Sequence, residues 1–557
     1  MSTKSVLVLD GESLCAEDLL TLSKGATSIA LSDDAWTRVS SSRDVVDAIL
    51  EDPTRVAYGI NTGFGLFSTV VIEPDQLKVL QANLILTRML LALRINVLAK
   101  GHSGIRVPTL HQLVDAFNAS CLSLVPSKGT VGASGDLAPL AHLALGLLGE
   151  GLMWDTTDNN DVVIRDAAEV LAKHGLHPLQ LEAKEGLALI NGTQLITSIG
   201  VEALVRAQNV TNCADVVVAL SLEVLCGTVN AFHPRIHAAR PHIGQARVAA
   251  RVRTLLSPDD PSELFRSHNY VGKVQDAYSL RCAPQPTWQR DIGYPPAAVA
   301  PVALKEVSVD KCDAELRLSE PKITDLEDAN REIQRLRALL NDNSVQQYET
   351  MERFTADMKR TSDTFYRGGD GFVISGGNFH GEYPAKALDY LAIGVHEIAS
   401  ISERRIERLV NPALSHLPAF LVPDGGLNSG FMIAHCTAAA LVSENKVLTH
   451  PSSVDSISTS GAKEDHVSMG GFAARKALTV VEHVETVVAI ELLAACQALD
   501  LLRPLRTTAV LEAVHAVVRT RVPKLDKDRV MKPDIDAVVD LVRSGAIWQV
   551  ATPFLGE

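Results

Sequence analysis

The sequence predicts a mainly α protein: a long central helix bundle with a smaller mixed region at the N-terminus. Three observations carry this reading. Long Ala/Leu/Val-rich runs occupy residues 195–227, 386–409, 431–449 and 473–503, far longer than a strand and apolar on most faces, as helices surrounded by helices are. Past residue 75 the patterns are overwhelmingly helical rather than alternating. The chain has 557 residues and 46% apolar side chains, which is enough for a large core built from two or three substructures.

The elements follow in chain order. Ser5 to Asp10 is rich in branched apolar side chains and runs into Gly11, so it reads as a short strand and turn. It opens an N-terminal region, 1–110, which also holds the glycine-rich string Tyr58-Gly59-Ile60-Asn61-Thr62-Gly63-Phe64-Gly65. Residues 111–286 form the first part of the helical bundle, with Leu137–Leu148 apolar nearly all round. A divergent section, 287–370, begins Pro/Ala-rich and then places Leu326, Ala329, Ile333, Leu336 and Leu340 alternately three and four apart. Asn341-Asp342-Asn343-Ser344 interrupts that stripe, and Tyr348, Met351, Phe354 and Met358 resume it. This predicts a helical hairpin or short coiled coil, with an unpartnered amphipathic helix as the alternative. The remainder of the bundle and the C-terminal region occupy 371–557.

Composition excludes several classes of function. With 52 basic against 66 acidic residues, a net charge of −14, an extended nucleic-acid surface is not expected. An aromatic content of 4% also argues against base-stacking platforms. The eight cysteines are scattered without a CxxC pair, and Cys226, Cys436 and Cys496 sit in apolar surroundings, so buried reduced thiols are expected rather than a disulfide framework. The start lacks an apolar leader and no apolar run reaches membrane-spanning length. A soluble cytosolic protein with no membrane partner follows.

The chemistry is concentrated in Gly129-Thr130-Val131-Gly132-Ala133-Ser134-Gly135-Asp136-Leu137-Ala138-Pro139-Leu140. If the Gly135 amide nitrogen attacks the Ala133 carbonyl and two waters leave, Ala133, Ser134 and Gly135 become a five-membered imidazolone with an exocyclic methylene derived from the serine. Flanking glycines permit the tight turn that brings amide and carbonyl together. As a bare tripeptide, however, Ala-Ser-Gly before an aspartate is an ordinary turn or helix start. Ser134 is not a hydrolase nucleophile of the G-x-S-x-G type, since no β/α alternation surrounds it. A metal site at His233, His237 and His242 is not expected, because Pro234 and Pro241 break any continuous ligand face.

Context makes the string specific. Gly129–Leu140 resembles, almost letter for letter, the cofactor-forming signature of the aromatic amino acid ammonia-lyase family. The resemblance implies the fumarase/aspartase-like helical architecture and 4-methylideneimidazole-5-one formed autocatalytically from Ala133-Ser134-Gly135, with no metal or nucleotide. It also implies a homotetramer whose sites combine three subunits. In this family the Tyr58 string is the loop over the active site, which makes Tyr58 a catalytic acid/base. A phenol pKa near ~10 must fall for that role at neutral pH.

Other strings match family active-site segments over their full length. Asn191-Gly192-Thr193-Gln194 implies that Asn191 holds substrate or imidazolone. Gln275-Asp276-Ala277-Tyr278-Ser279-Leu280-Arg281-Cys282 implies Gln275 as a substrate contact, Tyr278 in proton transfer and Arg281 as a bidentate carboxylate clamp. Ser375–Pro384 resembles the glycine-rich segment that brings Phe379 to the pocket wall. In Ser443-Glu444-Asn445-Lys446, Glu444 takes the position that faces the imidazole in histidine-acting members. The implied reaction is deamination of L-histidine to trans-urocanate and ammonia.

Two departures from the family pattern stand out. After Gln81–Leu86 the chain runs directly into Thr87-Arg88-Met89-Leu90, without the Ser-His turn that supplies a substrate-contacting histidine. The family's Asn-Ser-Ala-Thr-Asp-Asn-Pro turn is replaced by the 287–370 section. These leave two alternatives open: an ammonia-lyase or aminomutase for another aromatic amino acid, or a non-catalytic homologue serving as a scaffold or binding subunit.

Overall fold

A computed structural model describes residues 5–50, 79–133, 135–156, 162–257, 260–268, 275–287, 364–366, 373–375 and 377–556. All of them belong to one contact-defined unit, Met1–Arg290 with Asp357–Glu557. The predicted helical hairpin between Leu326 and Met358 lies outside the described residues.

The N-terminal region is mixed, as expected. Strand β1 (Ser5–Leu9) pairs in parallel with β2 (Thr27–Leu31) through α1 (Ala16–Ser23), and α2 (Asp33–Leu50) follows. A parallel pair needs such a crossover. Helices α3 (Val79–Leu98) and α4 (Val107–Asn118) cover this layer. Arg88 of α3 ties it together: its guanidinium donates to the carbonyls of Leu22 at 2.7 Å, Thr27 at 3.3 Å and Phe117 at 3.3 Å, and to Ser120 Oγ at 3.1 Å. It also lies over the Phe117 ring, and burial pushes its pKa down to about 10.

A departure follows. Between residues 120 and 170 the structure has a three-stranded antiparallel sheet in the order β3 (Leu122–Ser123), β4 (Leu152–Thr156), β5 (Val162–Asp166). Helix α5 (Leu137–Leu147) lies between β3 and β4 in sequence and α6 (Ala167–Lys173) follows β5. β4 and β5 are only five residues each and do not alternate between apolar and polar side chains, so they carry no strand signal beside long helical runs.

The four long apolar runs of the predicted bundle are helices. After α7 (Glu185–Ile190), α8 (Gln194–Val224) crosses the molecule, followed by α9 (Ile243–Leu256) and the single turn α10 (Tyr278–Arg281). The second part supplies α11 (Glu382–Val410), α12 (Met432–Leu448) and α13 (Gly470–Leu501), then α14 (Ala509–Arg521), α15 (Lys532–Arg543) and α16 (Ala546–Leu555). α8, α11 and α13 form the centre, and small side chains such as Ala473, Ala474 and Ala477 are fully buried there. Such residues let helix axes approach closely.

Two charge clusters hold α13 in register with its neighbours. Glu491 of α13 is completely buried and accepts from Arg405 of α11 (2.5 and 2.7 Å), Ser221 of α8 (2.6 Å) and Ser402 (2.5 Å). Glu485, also buried, accepts from Arg206 of α8 at 2.9 and 2.7 Å and from Arg543 of α15 at 2.8 Å. Buried carboxylates are tolerated because every carboxylate oxygen finds a donor.

The cysteines are a partial correction. All those described are free, and Cys121, Cys213 and Cys496 are buried, but Cys226 is half-buried and Cys436 is exposed. Cys436 lies on the outward face of α12, where the apolar run continues past the core. Among the described residues no helix is long and apolar enough to cross a membrane.

Candidate active site

The strap Gly129–Leu140 sits where three helices begin. A Cβ on Gly381, just before α11, would lie 2.7 Å from Ile196 Cδ1 in the first turn of α8 and 2.7 Å from Ser468 Oγ, just before α13. A Cβ on Gly132 would lie 2.1 Å from the same Ser468 Oγ. The N-termini of α8, α11 and α13 therefore converge on the strap, each presenting the positive end of its peptide dipoles.

Within the strap the backbone is held from both sides. Gly132 and Gly135 take φ of +75° and +80°, which glycine alone adopts freely. Gly135 forms a bridge with Gly192, whose oxygen would lie 2.1 Å from a Cβ at 135. The Asp136 amide donates to Gly192 O at 2.6 Å, the Gly132 amide to Thr130 Oγ1 at 3.0 Å, and the Met469 amide to Val131 O at 2.8 Å. Ala133 is buried. Ser134 lies outside the described residues.

Asp136 is a residue that sequence reasoning quoted without giving it a task. It is completely buried, accepting from the Ile196 amide at 2.9 Å and from Thr130 Oγ1 at 3.2 Å. Burial pushes its pKa up to about 7 against the pull of those donors. The signal was present in an acid directly after Ala-Ser-Gly, but an aspartate before a helix reads as a cap; here its side chain caps nothing in α5.

Asn191 joins this end of the molecule. Its carbonyl accepts from Arg94 Nη1 at 2.7 Å, and the same nitrogen reaches Gln194 Oε1 at 2.9 Å. Asn191 Oδ1 is buried with no hydrogen-bond partner among the described residues, an arrangement that suits an incoming N–H donor. Phe379 is half-buried in the loop that leads through Gly381 into α11, and so lies at the strap end as well.

Gln275, Tyr278 and Arg281 also come together, but elsewhere. The Gln275 amide oxygen, turned to the guanidinium, accepts from Arg281 Nη2 at 3.1 Å. Arg281 lies 4.9 Å from the Tyr278 ring centroid. Asp276 accepts from the Thr228 amide at 2.6 Å, just past the last turn of α8, and Arg405 donates to Ser279 O at 3.2 Å. The 31 residues of α8 span about 45 Å at ~1.5 Å per residue. Within one chain the strap and the guanidinium thus stand at opposite ends of that helix, and Tyr278 is 71% exposed.

Glu444 occupies a third place. It is exposed on α12, while its neighbour Asn445 is buried and meets His483 Nδ1 at 2.8 Å. His483 lies thirteen residues into α13, about 20 Å from the strap end. Tyr58 lies outside the described residues. The histidines set aside as metal ligands have structural tasks: His233 accepts from the Arg235 amide at 3.2 Å, and buried His237 meets Gln245 at 2.9 Å.

The chain matches the model of the family described as aromatic amino acid lyase over residues 14–287 and 324–520. The match thus takes in the later part of the section set apart as divergent. It is 54% identical over 566 aligned residues to histidine ammonia-lyase of Bos taurus, covering 99% of this chain and 77% of that protein. Among solved structures it is similar to histidine ammonia-lyase from Trypanosoma cruzi, with TM-score 0.78 and 47% identity, covering 99% of this chain and 95% of the other. It is also similar to tyrosine aminomutase from Streptomyces globisporus, with TM-score 0.77 and 30% identity, covering 98% of each. The chain belongs to the aromatic amino acid lyase family.

Proposed function

We propose that this ammonia-lyase deaminates L-histidine to trans-urocanate and ammonia. The observation that carries the choice of substrate is the 54% identity, over 99% of the chain, to a relative named for histidine. The tyrosine aminomutase of nearly the same fold is only 30% identical.

The residues around Ala133–Gly135 fit the imidazolone. A left-handed Gly135 pressed against Gly192 O leaves no room for a side chain, and Asn191 Oδ1 is a buried acceptor with no donor among the described residues. Formed from Ala133, Ser134 and Gly135, the group supplies an electrophilic methylene that no ordinary side chain offers. The three helix N-termini favour negative charge developing beside it.

The other roles belong to this chain's side chains. Arg281, steadied by Gln275, clamps the substrate carboxylate in a bidentate pair. Tyr58 takes the β-proton and Tyr278 assists proton transfer. Glu444 orients the imidazole, Asn191 accepts an N–H from substrate or imidazolone, and Phe379 closes the pocket wall. The separation of the strap from Arg281 along α8 supports assembly of each site from different subunits, as in a homotetramer.

Intact mass and a urocanate absorbance assay on the purified protein test this reading. Loss of two waters lowers the mass by ~36 Da, and histidine gives urocanate. An unmodified mass overturns the cofactor; a modified protein that turns over tyrosine or phenylalanine in place of histidine overturns the substrate.

A further inference from the structure

We propose that His380, Glu382 and His466 form a binding site for one divalent transition cation of the Zn2+ type. One ligand atom from each lies within 4.8 Å of the others. The sequence hides this, because His466 is far along the chain and no short-spaced ligand motif contains it.

The three donors are prepared for a cation rather than for one another. His380 Nε2 lies 3.1 Å from the His466 carbonyl oxygen. Donating there fixes the tautomer and leaves the Nδ1 lone pair available, and a ring N–H held by a backbone carbonyl is the usual second contact of a metal-bound histidine. The two imidazoles stack nearly parallel, 8° apart with centroids 5.7 Å from each other.

Glu382 divides its oxygens: Oε1 pairs with Lys386 at 2.8 Å, and Oε2 is buried with no hydrogen-bond partner among the described residues. A buried carboxylate oxygen without a donor is costly, and a cation relieves that cost. Two imidazoles and one carboxylate are the ligand set of Zn2+ and its neighbours, not of Ca2+ or Mg2+. Metal–ligand bonds of about 2.0–2.2 Å place tetrahedral ligands roughly 3.4 Å apart, so small rotamer changes close the site around the ion. One position remains for water.

A cation there joins two segments that the His380–His466 hydrogen bond already brings together. One is the loop carrying Phe379 into α11; the other leads through Ser468 into α13 beside the strap.

Full-length protein stripped with chelator and titrated with Zn2+ by calorimetry tests the site, with Co2+ absorption as a second readout. Wild type takes up one ion per chain at micromolar Kd, and Co2+ gives the intense visible bands of a tetrahedral site. His466→Ala and Glu382→Gln each weaken binding at least about tenfold while circular dichroism is unchanged. His174→Ala, an exposed histidine elsewhere, leaves it unaltered. The proposal is overturned if wild type takes up no ion, or if the two ligand variants bind as wild type does.

Discussion

Asp136 and Asp276 grip opposite ends of one helix. Asp136 accepts from the Ile196 amide at 2.9 Å in the first turn of α8, and Asp276 accepts from the Thr228 amide at 2.6 Å beyond its last turn. One follows the Ala-Ser-Gly tripeptide and the other precedes Tyr278 and Arg281, so α8 sets the distance between the two halves of the chemistry.

That separation predicts complementation. Ser134→Ala and Arg281→Ala proteins, each inactive alone, should regain activity when co-expressed and purified as mixed oligomers. If each site takes its strap and its guanidinium from different chains, random mixing restores roughly a quarter of wild-type activity. Mixed oligomers with no urocanate production would show that both halves act within one chain.

The strap predicts an asymmetry between two glycines. Gly135→Ala forces a Cβ against Gly192 O at φ +80° and should abolish both the mass loss and turnover, at a stability cost of about 1–3 kcal/mol. Gly129, at φ +110°, has nothing among the described residues within 4 Å of an added Cβ. Gly129→Asn should keep the mass loss, and mass spectrometry of the two variants makes the comparison.

Asp136 predicts a pH dependence of stability. Its folded pKa, about 7, lies above the ordinary 3.8, so the fold prefers the neutral acid. The stabilisation is complete below the unfolded pKa, declines as pH rises between the two values and is gone above about 7. Asp136→Asn should remove this slope, worth up to about 4 kcal/mol between pH ~4 and ~7. Melting temperatures across that range test it; parallel curves for wild type and variant would contradict the assignment.

The Glu491 cluster predicts a contrast between single and double changes. Glu491→Ala strands the buried Arg405 guanidinium and should destabilise by about 3–5 kcal/mol. Arg405→Met with Glu491→Met removes both charges and should cost clearly less. Thermal unfolding compares them, and equal losses would mean that the pair is not coupled.

The bundle was legible because α8, α11, α12 and α13 are long apolar runs with few competing readings. The strap was legible because its small residues have a chemical use. What escaped depends on distant partners: Asp136 looked like a cap until Ile196 and Thr130 closed on it, and Cys436 looked buried because its face of α12 is apolar without being covered. Sequence showed Glu444, Tyr278 and Arg281 as strings but not their places along the bundle, since helix length and direction separate residues that function would unite. Strands β4 and β5 were lost because five residues without apolar/polar alternation carry little signal beside thirty helical ones.

The Arg88 guanidinium bears on how the protein can be taken apart. Its hydrogen bonds reach the end of α1, the start of β2 and the end of α4, so one side chain of α3 satisfies main-chain oxygens from three segments. Removing residues 5–31 would leave a cation facing bare contacts, and excising α3 would leave carbonyls without donors. The N-terminal layer is therefore not a detachable module. Because α3 also packs against α8 of the bundle, layer and bundle should unfold in one transition, and a protease cutting between α1 and α2 should release no folded fragment.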